Sequence, residues 1–184
     1  MSASMPFTTD KSSRIFIVGP MGVGKTTIGR ILAKDLQLDF VDCDIEIEER
    51  SGASIAWIFD VEGEIGFRER ETQMLDELTS RKNILLATGG GAVLNEKNRD
   101  YLRKRGTVVY LDSSVDLLVK RMAKDKKRPL MKNANPKEVL ERIKNQRDPL
   151  YREVADIRVF VGDNSSRKVV NQIMQQLKGE GILE

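Results

Sequence analysis

Apolar positions along this chain fall into two alternating kinds of segment. Short, largely apolar runs occupy residues 15–18, 38–41, 84–88, 107–111 and 157–161, rich in isoleucine, valine and leucine. They have the length and composition of buried strands. Between them apolar residues recur at helical spacing: Ile28, Ile31, Leu32 and Leu36; Ile55, Ile58 and Phe59; then Phe67, Met74, Leu75 and Leu78, with a further helical stretch read at Ile45 and Ile47. Later sets are Val115, Leu118 and Met122; Val139, Leu140 and Ile143; and Val169, Val170, Ile173, Met174 and Leu177. Each set marks one face of an amphipathic helix. Ser51-Gly52 reads as a helix stop, and Asn135-Pro136-Lys137-Glu138 as a start with an Asn cap, Pro first and Glu third. A charged stretch at 95–104 reads as a surface helix. Strands that alternate with helices, and that do not themselves alternate polar with apolar, imply an α/β fold whose parallel sheet is covered on both faces. Ligands of such sheets bind beyond the carboxyl ends of the strands.

Composition narrows the class. At 184 residues, with 40% hydrophobic and 32% charged positions, the chain matches one ordinary globular domain able to bury a core. No apolar run approaches the ~20 residues that cross a membrane. Residues 1–13 are polar, read as a flexible tail before a domain at 14–184, and have no signal-peptide core, so the expectation is a cytoplasmic protein. The single cysteine, Cys43, allows no intramolecular disulfide and reads as a small buried residue. With no histidine, histidine catalysis and histidine metal sites are excluded. A net charge of +3 does not by itself imply nucleic acid.

The chemistry centres on Gly19-Pro-Met-Gly-Val-Gly-Lys25-Thr26-Thr27, the G-x-x-x-x-G-K-[ST] pattern of a phosphate-binding loop, set between a strand and a helix. Its backbone amides and the helix dipole converge on phosphate, Lys25 reaches the β- and γ-phosphates, and the Thr26 hydroxyl can ligate Mg²⁺. Asp42 and Asp44 follow the second strand, expected beside the phosphate-loop strand. In extended chain they would point to opposite sides and do different jobs. One could hold Mg²⁺ through water and the other accept from a substrate hydroxyl; a plain helix cap is the alternative. Arg68 and Glu71, three apart, form either a surface ion pair or a guanidinium held ready for a carboxylate. Gly89-Gly90-Gly91 after an apolar strand suggests backbone brought close to a ligand. Residues 120–132 carry five Lys and two Arg against Asp125, without an aromatic, and fit a mobile lid better than a nucleic-acid surface. Arg147 either ends and caps a helix or belongs to the site. Trp57 and Phe59 read as packing.

Taken together, the phosphate loop, Asp42-Cys-Asp44, Gly63-Glu-Ile-Gly-Phe67-Arg68, Thr88-Gly89-Gly90-Gly91, Arg128-Pro129-Leu130 and Arg147-Asp-Pro-Leu-Tyr151 resemble the shikimate kinases, over residues 14 to 178 in the family's order. The resemblance implies a three-layer α/β/α P-loop kinase fold with a five-stranded parallel sheet, a substrate-binding subdomain at about 43–71 and a mobile lid at about 122–135. It implies transfer of the γ-phosphoryl of ATP to the 3-hydroxyl of shikimate, giving ADP, with one Mg²⁺ and a monomeric enzyme. By position, Gly22, Val23, Gly24, Lys25, Thr26 and Thr27 match the ATP phosphate site, Thr26 and (through water) Asp42 the Mg²⁺ site, and Asp44, Arg68, Gly90 and Arg147 the shikimate site. Arg128 matches the lid arginine on ATP. Arg121 and Asn164 match positions flanking adenine, and Lys25, Asp44 and Arg128 carry the chemistry. Two other readings are a kinase of the same architecture acting on another hydroxylated acid such as gluconate, and a nucleotide-dependent module that binds nucleic acid through residues 120–132.

Overall fold

In the computed structural model, which describes residues 11, 13–124 and 135–184, five strands form one parallel sheet in the order β2-β3-β1-β4-β5. The chain runs β1 (Arg14–Val18), α1 (Lys25–Leu36), β2 (Asp39–Asp42), α2 (Cys43–Ser51), α3 (Ile55–Leu78) and β3 (Ile84–Ala87). A short 3₁₀ turn at Ala92–Leu94 precedes α4 (Glu96–Arg105), β4 (Thr107–Asp112), α5 (Val115–Met122), α6 (Pro136–Val154), β5 (Ile157–Phe160) and α7 (Ser166–Gly179).

The central strands lack polar alternation because each face meets its own helical layer. Ile15 and Ile17 of β1 pack with Leu32, Leu36 and the apolar face of α7, while Phe16 and Val18 pack with Leu75, Leu78, Leu102 and Tyr151 on the opposite side. Full burial of such side chains contributes roughly 1.5–3 kcal/mol each. The edge strand β5 departs from the expected double coverage: Ile157 and Val159 are buried, whereas Arg158 and Phe160 are exposed.

Several local expectations change. β2 lies next to β3, so β3 separates it from the phosphate-loop strand β1. The two helices expected at Ile55–Phe59 and around Phe67–Leu78 are both present, as the two halves of α3, and they meet at a kink at Gly63, whose φ of 72° and ψ of −179° are not helical. α4 is charged but not wholly on the surface, because Leu102 and Asn98 are buried. Helix α6 does not end at Arg147: it continues past Pro149 to Val154, which removes the helix-capping alternative for Arg147. Trp57 is 53% exposed and is not core packing, whereas Phe59 does pack, with its ring centroid 4.7 Å from that of Phe67. Arg128 and residues 125–134 of the span expected as a lid, together with most of the N-terminal tail, lie outside the described residues.

Candidate active site

All strands point the same way, so the loops after β1, β2, β3 and β4 share one rim. Among the described residues, six of the seven α-helices begin with a side-chain cap, supplied by Asp42, Ser54, Asn95, Ser114, Asn135 and Ser165. The exception is α1, which opens at Gly24 with no side-chain cap and no acidic residue in its first turn. Its first amides and the positive end of its dipole are thereby left to a bound anion. Gly22 and Gly24 hold the loop in left-handed conformations, with φ of 81° and 104°. Lys25 lies back over the loop and donates from Nζ to the carbonyls of Gly19 (2.8 Å) and Pro20 (2.9 Å).

Thr26 Oγ1 donates to Asp42 Oδ2 at 2.7 Å, so the two expected Mg²⁺ residues meet although sixteen positions apart. The other Asp42 oxygen, Oδ1, accepts from the amides of Asp44 (3.0 Å) and Ile45 (3.2 Å) and caps α2. The cap and the oxygen beside the phosphate loop are thus one carboxylate. Asp44 already lies inside α2, so the extended-chain geometry does not apply; the two carboxylates nonetheless have different neighbours, Asp42 beside Thr26 and Asp44 beside Gly89. Beside it the Cys43 thiol is wholly buried, and burial together with the neighbouring Asp44 raises its pKa well above the ordinary value. It is held as an inert thiol.

Gly89-Gly90-Gly91 brings the other expected residues together. A Cβ on Gly89 would stand 2.8 Å from Asp44 Oδ1 and 2.9 Å from Glu71 Oε2. One on Gly91 would stand 2.7 Å from the guanidinium carbon of Arg68, and one on Gly90 would lie 3.3 Å from the amide nitrogen of Met21 and 3.7 Å from Arg147 Nη1. Arg68 Nη1 donates to Glu71 Oε1 at 2.8 Å. Glu71 is fully buried, so this pair is not the surface pair that spacing alone allowed. Burial raises the Glu71 pKa and Asp44 adds to the rise, while Arg68 and Arg147 oppose it. Among the described residues Glu71 Oε2 and Arg147 Nε are buried without a hydrogen-bond partner. Buried polar atoms of this kind are costly unless a ligand satisfies them.

On the other side of the phosphate loop, a cavity of about 260 Å³ is lined by Gly22, Gly24, Thr27, Arg121 and Asn164 among others. Arg121 closes it by donating to the Val23 carbonyl at 2.8 Å. Both positions expected near adenine therefore share one pocket next to the phosphate loop. Sequence reasoning missed the depth of Glu71 and the contact of Tyr151, whose hydroxyl donates to the Gly90 carbonyl at 2.5 Å. The four-residue spacing of Arg147 and Tyr151 on one helix was the available signal for the latter.

A phosphate loop at an uncapped helix, with a cavity on one side and buried carboxylates and guanidinia around a glycine turn on the other, fits the class of P-loop kinases that act on small molecules. The shikimate kinase family model matches residues 21–178. A shikimate kinase of Psychrobacter cryohalolentis is 57% identical over 163 residues, covering 89% of this chain and 88% of that one. The solved structure of shikimate kinase from Acinetobacter baumannii in complex with shikimate superposes with a TM-score of 0.87 at 49% identity, over 91% of this chain and 93% of that one. A gluconokinase from Sinorhizobium meliloti is similar at a TM-score of 0.57 and 16% identity, over 92% of this chain and 94% of that one, which shows the shared fold alone. The chain belongs to the shikimate kinase family, and it is an ATP-dependent kinase that phosphorylates shikimate.

Proposed function

We propose that the chain transfers the γ-phosphoryl of ATP to the 3-hydroxyl of shikimate with the division of labour that its residues suggest. Arg68 and Arg147 grip the carboxylate of shikimate, Gly90 offers its backbone to the ring, and Asp44 orients the reacting hydroxyl and takes its proton. The amides of Gly22, Val23, Gly24, Lys25, Thr26 and Thr27 hold the phosphates. Arg121 and Asn164 flank the adenine. Lys25 and Arg128 neutralise charge on the transferring group. Because phosphoryl transfer passes through a loose transition state, position and charge neutralisation outweigh base strength.

The Thr26 hydroxyl and the Asp42 carboxylate, 2.7 Å apart at the loop, are oxygen donors of the kind Mg²⁺ takes alongside water and phosphate. Held there, Mg²⁺ would offset the charge of the phosphates. Residues 43–71 are read as the substrate-binding subdomain and 122–135 as the lid of a monomeric, cytoplasmic enzyme with no nucleic-acid or membrane partner.

The observation that carries this reading is the meeting of Asp44, Glu71, Arg68 and Arg147 around three glycines. Two cations suit a single carboxylate, and two carboxylates suit hydroxyls. The test is ADP release from ATP and Mg²⁺ with shikimate, gluconate or buffer as acceptor. Release only with shikimate is expected; release with gluconate, or without acceptor, would discard the pocket assignment while leaving the phosphate loop intact.

A further inference from the structure

We propose that Tyr151 is a positioning residue for the shikimate pocket: its hydroxyl fixes the Gly90 carbonyl and so sets the gap between the glycine turn and Arg147. The inference rests on placing Gly90 and Arg147 at shikimate. Tyr151 sits one turn beyond Arg147 on α6, on the same face, and is 1% exposed. Its ring stacks on Tyr110 of β4, with centroids 5.0 Å apart and an interplanar angle of 29°. Tyr110 is itself fully buried, and its hydroxyl donates to Asp148 Oδ1 at 2.6 Å. The Tyr151 ring is therefore held between sheet and helix, and its only freedom is where the hydroxyl points. That hydroxyl donates to Gly90 O at 2.5 Å.

Gly90 is a sensitive place to hold. An added Cβ there would lie 3.3 Å from the Met21 amide nitrogen on one side and 3.7 Å from Arg147 Nη1 on the other. The turn is thus wedged between the phosphate loop and the carboxylate-binding arginine. Backbone pairing with β1 reaches Thr88, whose amide donates to the Ile17 carbonyl at 3.1 Å, and at Gly90 a side-chain donor takes over the task of fixing the carbonyl. Burial pushes the Tyr151 hydroxyl up to about 12, with Arg147 working in the opposite direction, so it stays a donor across the working range of an enzyme.

The test is steady-state kinetics on Tyr151→Phe, with Arg147→Ala and Tyr110→Phe beside it and a thermal melt of each. Tyr151→Phe keeps the stacked ring and removes the hydroxyl, with its donation to Gly90 and its contact with Arg147. It is expected to raise the KM for shikimate about five- to tenfold, the equivalent of one net hydrogen bond, with the KM for ATP and kcat unchanged. Tyr110→Phe loses its bond to Asp148 and is expected to lower Tm while leaving the KM for shikimate at the wild-type value. A wild-type KM in Tyr151→Phe, or an equal rise in Tyr110→Phe, overturns the positioning role, since either reduces Tyr151 to packing. If Arg147→Ala leaves the KM for shikimate unchanged, the pocket assignment fails instead.

Discussion

Asp42 uses its two oxygens for two structures at once. One receives the hydroxyl of Thr26 and the other receives the first amides of α2. A carboxylate committed in this way is poorly suited to move a proton, which supports the proposed assignment of that work to Asp44, two residues on, beside Gly89. Asp44→Asn preserves shape and removes the charge. Its kcat is expected to fall by about a hundredfold or more, the lower end for loss of general-base assistance. The measurement is initial rate against shikimate at saturating ATP; normal kcat together with a normal KM for shikimate would remove both roles from Asp44. The residue types at this site were legible from spacing, but the partners were not. Glu71 could be read only as a possible pair for Arg68, because no pattern in a single helix reports that its carboxylate lies fully buried against another loop.

At the scale of elements, the kink in α3 decides where Arg68 points. Gly63 stands at φ 72° and ψ −179°, a backbone region open essentially to glycine alone. No atom lies within 4 Å of the Cβ that a larger residue would add, so any cost of substitution is backbone strain. Gly63→Ala is expected to destabilise the protein by about 1–3 kcal/mol and to raise the KM for shikimate, because relief of the strain re-aims the segment carrying Phe67 and Arg68. Gly52→Ala serves as the comparison. Its glycine closes α2 at φ 66° and ψ 20°, in the left-handed helical region that other residues enter at smaller cost. Urea unfolding of both variants checks this, and equal losses would count against a special role for the kink. Periodicity located both halves of α3 but could not show how sharply they turn at Gly63, since a single glycine changes direction without interrupting the apolar spacing.

Across the whole molecule, Asp112 ties together the layers that carry the site. At the end of β4 it receives Lys144 Nζ from α6 at 3.2 Å and Arg158 Nη2 from β5 at 2.5 Å. It also accepts the Ser113 amide at 2.8 Å, and the Tyr110 hydroxyl, whose proton points chiefly to Asp148, lies 3.1 Å away. Burial works to raise its pKa, but the hydrogen bonds from Arg158 and Lys144 outweigh it, and the carboxyl lies below its ordinary 3.8. The folded state therefore binds fewer protons than the unfolded state just below that value. The stabilisation is complete above about pH 3.8 and is lost as pH falls through the lower folded value. Asp112→Asn is expected to cost about 1–3 kcal/mol at neutral pH, toward the lower end because Lys144 and Arg158 still reach water. The gap between wild type and variant should narrow well below pH 3.8, and a gap of constant size across that range in urea melts would assign the effect to packing.

The chain alone determined the alternation of strands and helices, the phosphate loop, the helix start at Asn135 and the family to which the motifs belong. These are local properties, set by side-chain spacing, by glycine where the backbone must curl, and by caps within four residues of what they cap. Only the tertiary structure decided that β3 stands between β2 and β1, that α6 runs on through Pro149 and puts Arg147 beside Gly90, and that Glu71 is buried while Trp57 is not. Each of these depends on which surface another element covers. Burial and strand order arise from packing between segments far apart in sequence, and no local pattern encodes the position of a partner sixteen or sixty residues away.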